Sequence, residues 1–201
     1  NIGGVVWHFI GFYGHPETSK HGESWDLLHH LHISFSLPWL LLGDFNEILR
    51  PDEYQGSGSW PLNHIAKFTR AVDDRSLLDL GFSGPKFTWC NRRFKGNLVY
   101  ARLDRGLYNL EWLELFPHFK LSHIPFGFSD HMALVAKLQA TPGNIFVKKH
   151  RFFGSKHFGC VIQIVKTSSG LAEILCSTWE LLSLLPQSHY YSRSCHYYQG
   201  T

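Results

Sequence analysis

Short apolar runs, broken by glycine, proline and polar stretches, set the pattern of the first 140 residues. Residues 5–13 (VVWHFIGFY) are β-branched and aromatic and end at Gly14, which predicts a strand running into a loop. Over residues 24–32, Trp25, Leu28 and Leu31 fall at helical spacing behind Ser24, a residue suited to cap a helix, and Pro38 stops the pattern. The run WLLLG at 39–43 is too short for a helix and predicts a buried strand. Residues 51–61, with their prolines and a GSGS stretch, predict a loop. Ile65, Phe68, Val72 and Leu77 predict an amphipathic helix over 63–78, with Asn63 as its cap. Strands are expected at 86–91 and 98–105, joined by a basic turn around Gly96, then a short helix at 109–116 and strands at 119–124 and 131–138.

This irregular alternation predicts an α/β fold of the mixed-sandwich kind, without internal repeats. Past residue 140 the character changes. Thr141-Pro142-Gly143 marks a boundary, which divides the chain into a domain at 1–140 and a tail at 141–201. The tail has no consistent period, except that Leu171, Leu175, Trp179, Leu182 and Leu185 can line one face of a helix over 171–185.

Composition adds limits. With 201 residues a single domain is the default, and 44% hydrophobic residues against 17% charged is enough apolar material for a core. A formal charge of +3 tilts only weakly toward an anionic partner. Cys90, Cys160, Cys176 and Cys195 form no CxxC pair, which argues against a zinc ribbon. No apolar run reaches the roughly 18 residues of a membrane span, and the first residues lack signal-peptide features. The sole methionine is Met132 and residue 1 is Asn1, so a fragment is expected.

Polar groups gather where predicted strands end. Asp44 and Asn46 follow WLLLG and, two residues apart, point to one side of an extended backbone. A carboxylate there can orient a water or hold a metal; it can equally cap the turn that follows. Ser129-Asp130-His131 precedes an apolar strand, a place suited to an acid/base histidine or a metal ligand, or to a plain turn. Asp104, between Arg102 and Arg105, suits either an ion-pair network or the orientation of a histidine. Trp89, Arg92, Arg93 and Lys95 combine aromatic and basic character, as nucleic-acid contact requires and as a solvated basic turn also shows.

Taken in order, Gly11-Phe12-Tyr13-Gly14-His15-Pro16, Gly43-Asp44-Phe45-Asn46-Glu47, Leu78-Asp79-Leu80-Gly81-Phe82, Phe87-Thr88-Trp89-Cys90-Asn91, Arg102-Leu103-Asp104-Arg105, Phe116-Pro117 and Ser129-Asp130-His131 resemble one known family. It is the endonuclease domain of plant LINE-type non-LTR retrotransposons, within the endonuclease/exonuclease/phosphatase (DNase I-like) superfamily. The resemblance spans residues 5–140. It implies a four-layered α/β sandwich, incomplete at the N-terminus, that hydrolyses phosphodiesters with Mg²⁺ and takes DNA as partner, in the nucleus. It implies catalytic roles for Tyr13, Asp44, Asn46, Asp104 and His131, with Asp44 orienting the attacking water and Asp104 partnering His131. It implies substrate contacts from Trp89, Asn91, Arg92 and Ser129, and places Asp130 near the metal. A monomer is expected.

Two parts of the family pattern lie upstream of Tyr13 in other members: a strand ending in asparagine, and a glutamate that is the chief metal ligand. Neither stands in this chain; Glu17-Thr18-Ser19-Lys20 is similar to the glutamate segment but follows the tyrosine motif and is not assigned that role. Weak metal binding and weak or absent cleavage are therefore expected. The alternatives are a non-catalytic relic or nucleic-acid-binding fragment, and an unrelated interaction domain in which these residues lie scattered. Missing strands are also expected to leave sheet edges unpaired, with nothing in the tail to replace them.

Overall fold

Alternation along β1, Val5–Tyr13, sets the layers of the molecule. Trp7 and Phe9 enter one apolar cluster, whereas Ile10 and Phe12 enter another on the opposite face. The computed structural model describes residues 5–34, 36–92, 96–126, 129–139, 146–154, 160–166 and 171–178. After β1 come α1 (His21–Ser34), β2 (Trp39–Asp44), a 3₁₀ turn at Pro51–Glu53 and β3 (Tyr54–Gln55). Then follow α2 (Leu62–Asp73), β4 (Leu78–Asp79), β5 (Trp89–Cys90), β6 (Tyr100–Ala101), β7 (Asp104–Tyr108) and α3 (Leu110–Leu115). The remaining elements are all strands: β8 (His118–Ile124), β9 (Ala133–Gln139), β10 (Phe146–Gly154), β11 (Cys160–Lys166) and β12 (Leu171–Thr178).

Five strands make the central sheet in the order β10-β1-β2-β7-β4, and four make a second sheet in the order β11-β12-β9-β8. A small third sheet joins β3, β6 and β5. On one face of the central sheet, Trp25, Leu28 and Leu31 of α1 and Phe68, Ala71 and Val72 of α2 pack with Leu41 and Leu107. That spacing, three and four residues apart, is the apolar stripe of a helix lying on a sheet. The Trp25 and Phe68 rings stack at 4.5 Å between the two helices. On the other face, Leu40, Leu42 and Tyr108 meet Leu121, Leu134, Ala136 and Leu138 of the second sheet, with Trp112 of α3 closing the cluster. Burying rings of this size dominates such cores, and truncating Trp112 to alanine would cost about 3–5 kcal/mol.

The coarse α/β expectation holds, and most elements lie where the pattern placed them. Local details differ. Ser24 does not cap α1 but lies inside it, where its hydroxyl accepts the His15 N–H at 2.8 Å. Pro61, not Asn63, begins α2, with no side-chain cap, and the helix stops before Leu78, which joins β4 instead. Asn109 does cap α3: its side-chain oxygen accepts from Trp112 N–H at 3.3 Å and from Trp39 N–H at 2.9 Å. The strand expected over 86–91 is only Trp89–Cys90, and that over 98–105 divides into β6 and the start of β7.

The tail departs furthest. Leu171–Thr178 is a strand, not the first half of a helix, and residues 179–185 lie outside the described residues. Backbone pairing along β9 overrides the helical spacing, as a sheet edge readily does for a segment carrying Ile174, Cys176 and Thr178. Nor are β1 and β9 left bare on the sides away from β2 and β8. β10 pairs in parallel with β1 from Val5↔Phe146 to Tyr13↔Gly154, and β12 pairs antiparallel with β9. The tail thus occupies the β1 edge, which was expected to stay bare.

Candidate functional site

Register builds the site. In the parallel pair of β1 and β2, Tyr13 lies beside Asp44; in the antiparallel pair of β2 and β7, Asp44 lies opposite Asp104. Tyr13, Asp44 and Asp104 therefore form one row across three strands. Each is an even number of residues from a member of the cluster facing the second sheet: Phe9, Leu42 and Tyr108. The row closes the end of the gap between the sheets. His131 reaches it from the second sheet, just before β9, where it bridges to Trp89.

Glycine lets the strand ends approach. At Gly43, φ is +154° and a Cβ would fall 1.9 Å from the Phe12 carbonyl oxygen. At Gly14 a Cβ would lie 2.4 Å from the Phe45 carbonyl oxygen, so the turns after β1 and β2 sit against each other. Asn46 adopts φ +54°, a left-handed conformation that asparagine tolerates, and its N–H donates to Asp44 Oδ1 at 2.8 Å. Its side-chain amide donates to the Gly14 carbonyl at 3.0 Å. The Gly-Asp-Phe-Asn sequence is thus a turn whose own side chains fix the Asp44 carboxylate.

Asp104 Oδ2 and His131 Nδ1 lie 2.9 Å apart, and His131 Nε2 stands 4.0 Å from Asp44 Oδ2. One ligand atom from each of Asp44, Asp104 and His131 lies within 4.8 Å of the others. Thr88 braces the group: its hydroxyl oxygen accepts the Leu103 and Asp104 N–H groups at 3.0 and 2.9 Å. Arg102 and Arg105 do not pair with Asp104. They bind Glu53 and Asp79 at 2.8–3.1 Å in a separate network, which leaves Asp104 to the histidine.

Burial raises Asp44 to about 7, and the nearby Asp104 charge adds to the effect. For His131, burial works downward, but the charge and hydrogen bond of Asp104, with Asp44 and Asp130 behind it, lift the imidazole to about 10. The imidazolium is therefore the stable form at neutral pH. Burial and then the Asp44 charge push Tyr13 up to about 12 against a hydrogen bond from Asn46, so its hydroxyl keeps its proton.

The other expected residues sit around this centre rather than in it. Asp130 is exposed and accepts the Trp89 indole N–H at 3.1 Å; it is not among the three clustered ligands. Ser129 Oγ accepts the His131 N–H at 3.1 Å, and the Arg92 guanidinium donates to the Ser129 carbonyl. Asn91 ties its own hairpin, donating to the Asn97 carbonyl at 2.9 Å and accepting the Val99 N–H at 3.1 Å. Arg93 and Lys95 lie outside the described residues.

Two groups escaped sequence reasoning. Thr88 stands in the quoted Phe-Thr-Trp segment but had no assigned role. Glu47, fully buried directly after Asn46, takes the Trp60 indole N–H at 2.5 Å, its neighbour Ile48 N–H at 3.0 Å and a His21 contact at 3.2 Å. A charged residue directly before the apolar pair Ile48-Leu49 was the available signal. Among the described residues no helix is long and apolar enough to cross a membrane. No family model matches this chain, and no curated protein matches it either.

Proposed function

We propose that the chain is part of a DNase I-like, four-layered phosphodiesterase domain whose site hydrolyses DNA with Mg²⁺. The observation that carries this reading is the convergence of Asp44 from β2, Asp104 from β7 and His131 from the segment before β9 onto one spot. An unrelated interaction domain gives no reason for that convergence.

Each residue has a distinct task in such a site. Asp44, held by the Asn46 N–H, accepts a proton from the attacking water as its oxygen bonds to phosphorus. The P–O bond to the leaving sugar oxygen breaks, and His131 supplies positive charge and a proton from Nε2. Asp104 holds that imidazolium in orientation through Nδ1. Tyr13 keeps its hydroxyl proton as a donor to a phosphate oxygen.

The donor set fits a hard cation in part. Buried Asp44 lies against a like charge, a deficit that a cation relieves, and Asp44 with Asp104 would hold it, with Asp130 nearby. Bound Mg²⁺ would neutralise charge gathering on the phosphate and on the leaving oxygen. Asp104 is already engaged by His131, so affinity for the ion is expected to be low and cleavage slow. The same observation favours a second reading: the imidazolium balances part of the acidic charge without metal, as suits a non-catalytic nucleic-acid-binding module.

Nicking of supercoiled plasmid separates the two. Slow Mg²⁺-dependent nicking, abolished by EDTA and lowered at least about 100-fold in His131→Ala, is the expected result. Folded protein that binds DNA in a salt-dependent way but cleaves in no metal would replace the first reading by the second. Absence of both activities would remove both.

A further inference from the structure

At the opposite end of the central sheet from the acidic row, a pocket of about 330 Å³ opens at the start of β2. Ser36, Trp39, Arg75, Ser76, Asn109 and Glu111 are among its walls. Trp39 begins the strand that Asp44 ends, so about 17 Å of extended backbone separates the two places. One bound phosphate group cannot occupy both.

Arg75 sets this pocket apart. It is 9% exposed, yet no carboxylate pairs with it among the described residues. Nη1 donates to the Ala71 carbonyl at 2.6 Å, which caps the end of α2 and uses one of five guanidinium N–H groups. Nε is buried without a partner. Arg102 and Arg105 bury an unpartnered Nε as well, but each of them meets two carboxylates, and Arg75 meets none. Asp74 and Asp26 act on it through charge, without a hydrogen bond, and burial holds it below its ordinary value against them. Arginine keeps its proton at any ordinary pH, so this is a buried cation without a counter-ion. Neutral donors stand beside it. Asn109 Oδ1 already accepts two N–H groups, from Trp39 and Trp112, so its NH₂ is the end left to donate. Ser76 follows α2 at φ +50°, a left-handed place where glycine is usual, and brings to the wall a hydroxyl that glycine lacks. Ser36 brings a second. Donors from three segments around one cation suit an anion with oxygens in several directions. Glu111 on the same wall opposes it, which favours a small anion of low charge.

We propose that this pocket binds a small oxyanion, with Arg75 as its charge partner and Ser36, Ser76 and the Asn109 amide as neutral donors. Phosphate and carboxylate groups share the chemistry recognised here, and donors on three sides favour the tetrahedral phosphate. The site is separate from the acidic row and does not depend on the phosphodiesterase reading.

The test is isothermal titration calorimetry of the full chain with inorganic phosphate and, separately, with acetate, in EDTA at constant ionic strength. Saturable binding at one site is expected, with phosphate the tighter ligand. Acetate as the tighter ligand overturns the preference for phosphate while the oxyanion site stands. Arg75→Gln should weaken binding at least about tenfold, the loss typical of a charged hydrogen-bond partner. Ser76→Gly should weaken it about threefold to tenfold and fold at least as stably as wild type, because glycine suits the left-handed backbone. Glu111→Gln should tighten it about twofold or more. Should Arg75→Gln prove misfolded by circular dichroism, Ser76→Gly decides the matter. Binding of neither anion overturns the assignment. So does an affinity unchanged in Ser76→Gly, which is the result expected if phosphate is held at His131 instead.

Discussion

Within four consecutive residues the chain feeds two buried ionic clusters of opposite design. Arg102 and Arg105 meet Glu53 and Asp79, cations matching carboxylates, with both guanidinium groups almost wholly buried. Asp104, between them in sequence, turns to Asp44 and His131, where one imidazole faces two carboxylates. Strand alternation along β7 separates Arg105 from Asp104: Arg105 projects over Phe68 on the helix side, whereas Asp104 projects toward the second sheet, and Arg102 joins Arg105 from the segment before the strand begins. The carboxylates respond in opposite directions. Burial works to raise Glu53 and Asp79, but Arg105 and Arg102 overcome it and hold both below their ordinary values. Asp44 has no such partner and rises. Matched buried charge builds structure; unmatched buried charge is a cost with no structural return and marks where a ligand or a reaction would be expected.

Removing one cation from the matched cluster should cost the most. Arg105→Ala takes one buried guanidinium from both Glu53 and Asp79 and leaves Arg102 to face the two carboxylates. We expect a loss of about 3–5 kcal/mol in urea denaturation, a large part of the stability of an ordinary domain. A loss below about 1 kcal/mol would show that the two clusters do not differ in kind. Next in size is Thr88→Val, which keeps the side-chain volume but removes the acceptor for two buried N–H groups. The expected cost is about 2 kcal/mol, with Thr88→Ser recovering most of it. If valine is tolerated without loss, Thr88 does not position Asp104.

Much of this arrangement was legible in the sequence, for reasons that can be named. Asp44 and Asn46 stood out because an apolar strand ended beside them, and the WLLLG run is buried throughout. The pairing of Asp104 with His131 was expected only from a resemblance; spacing alone left Asp104 equally suited to its arginine neighbours. What decided it was register, the alignment of Tyr13, Asp44 and Asp104 across three strands, and register is set by long-range pairing. The tail was misread for the same reason. A helical period over Leu171 and Leu175 carries no information about the β9 edge that recruits the segment as a strand. Glu47 was overlooked because its partners, His21 and Trp60, lie 26 and 13 residues away and meet it only in the fold.

The smallest expected effect bears on the unmatched cluster itself. The Asp44 carboxyl rises from 3.8 to about 7, so its folded value lies above its unfolded one. Between those pH values the folded protein keeps a proton that the unfolded chain has released. The group's contribution to stability is then full below about pH 4 and is lost as pH climbs through 7. His131 has the same sign in the next window: its contribution is full below 6.5 and lost as pH passes about 10. Asp44→Asn retains an oxygen for the Asn46 N–H but removes the first window. In EDTA, the variant should lose less stability than wild type between pH 5 and 8 and be more stable at pH 8 by on the order of 1 kcal/mol. That is less than the shift alone would give, because asparagine also withdraws one of the charges that hold His131 protonated. Urea midpoints at the two pH values measure it. A variant that is less stable than wild type at pH 8, with an unchanged decline, would mean that Asp44 is matched after all, and the contrast between the two clusters would fail at the site where it matters most.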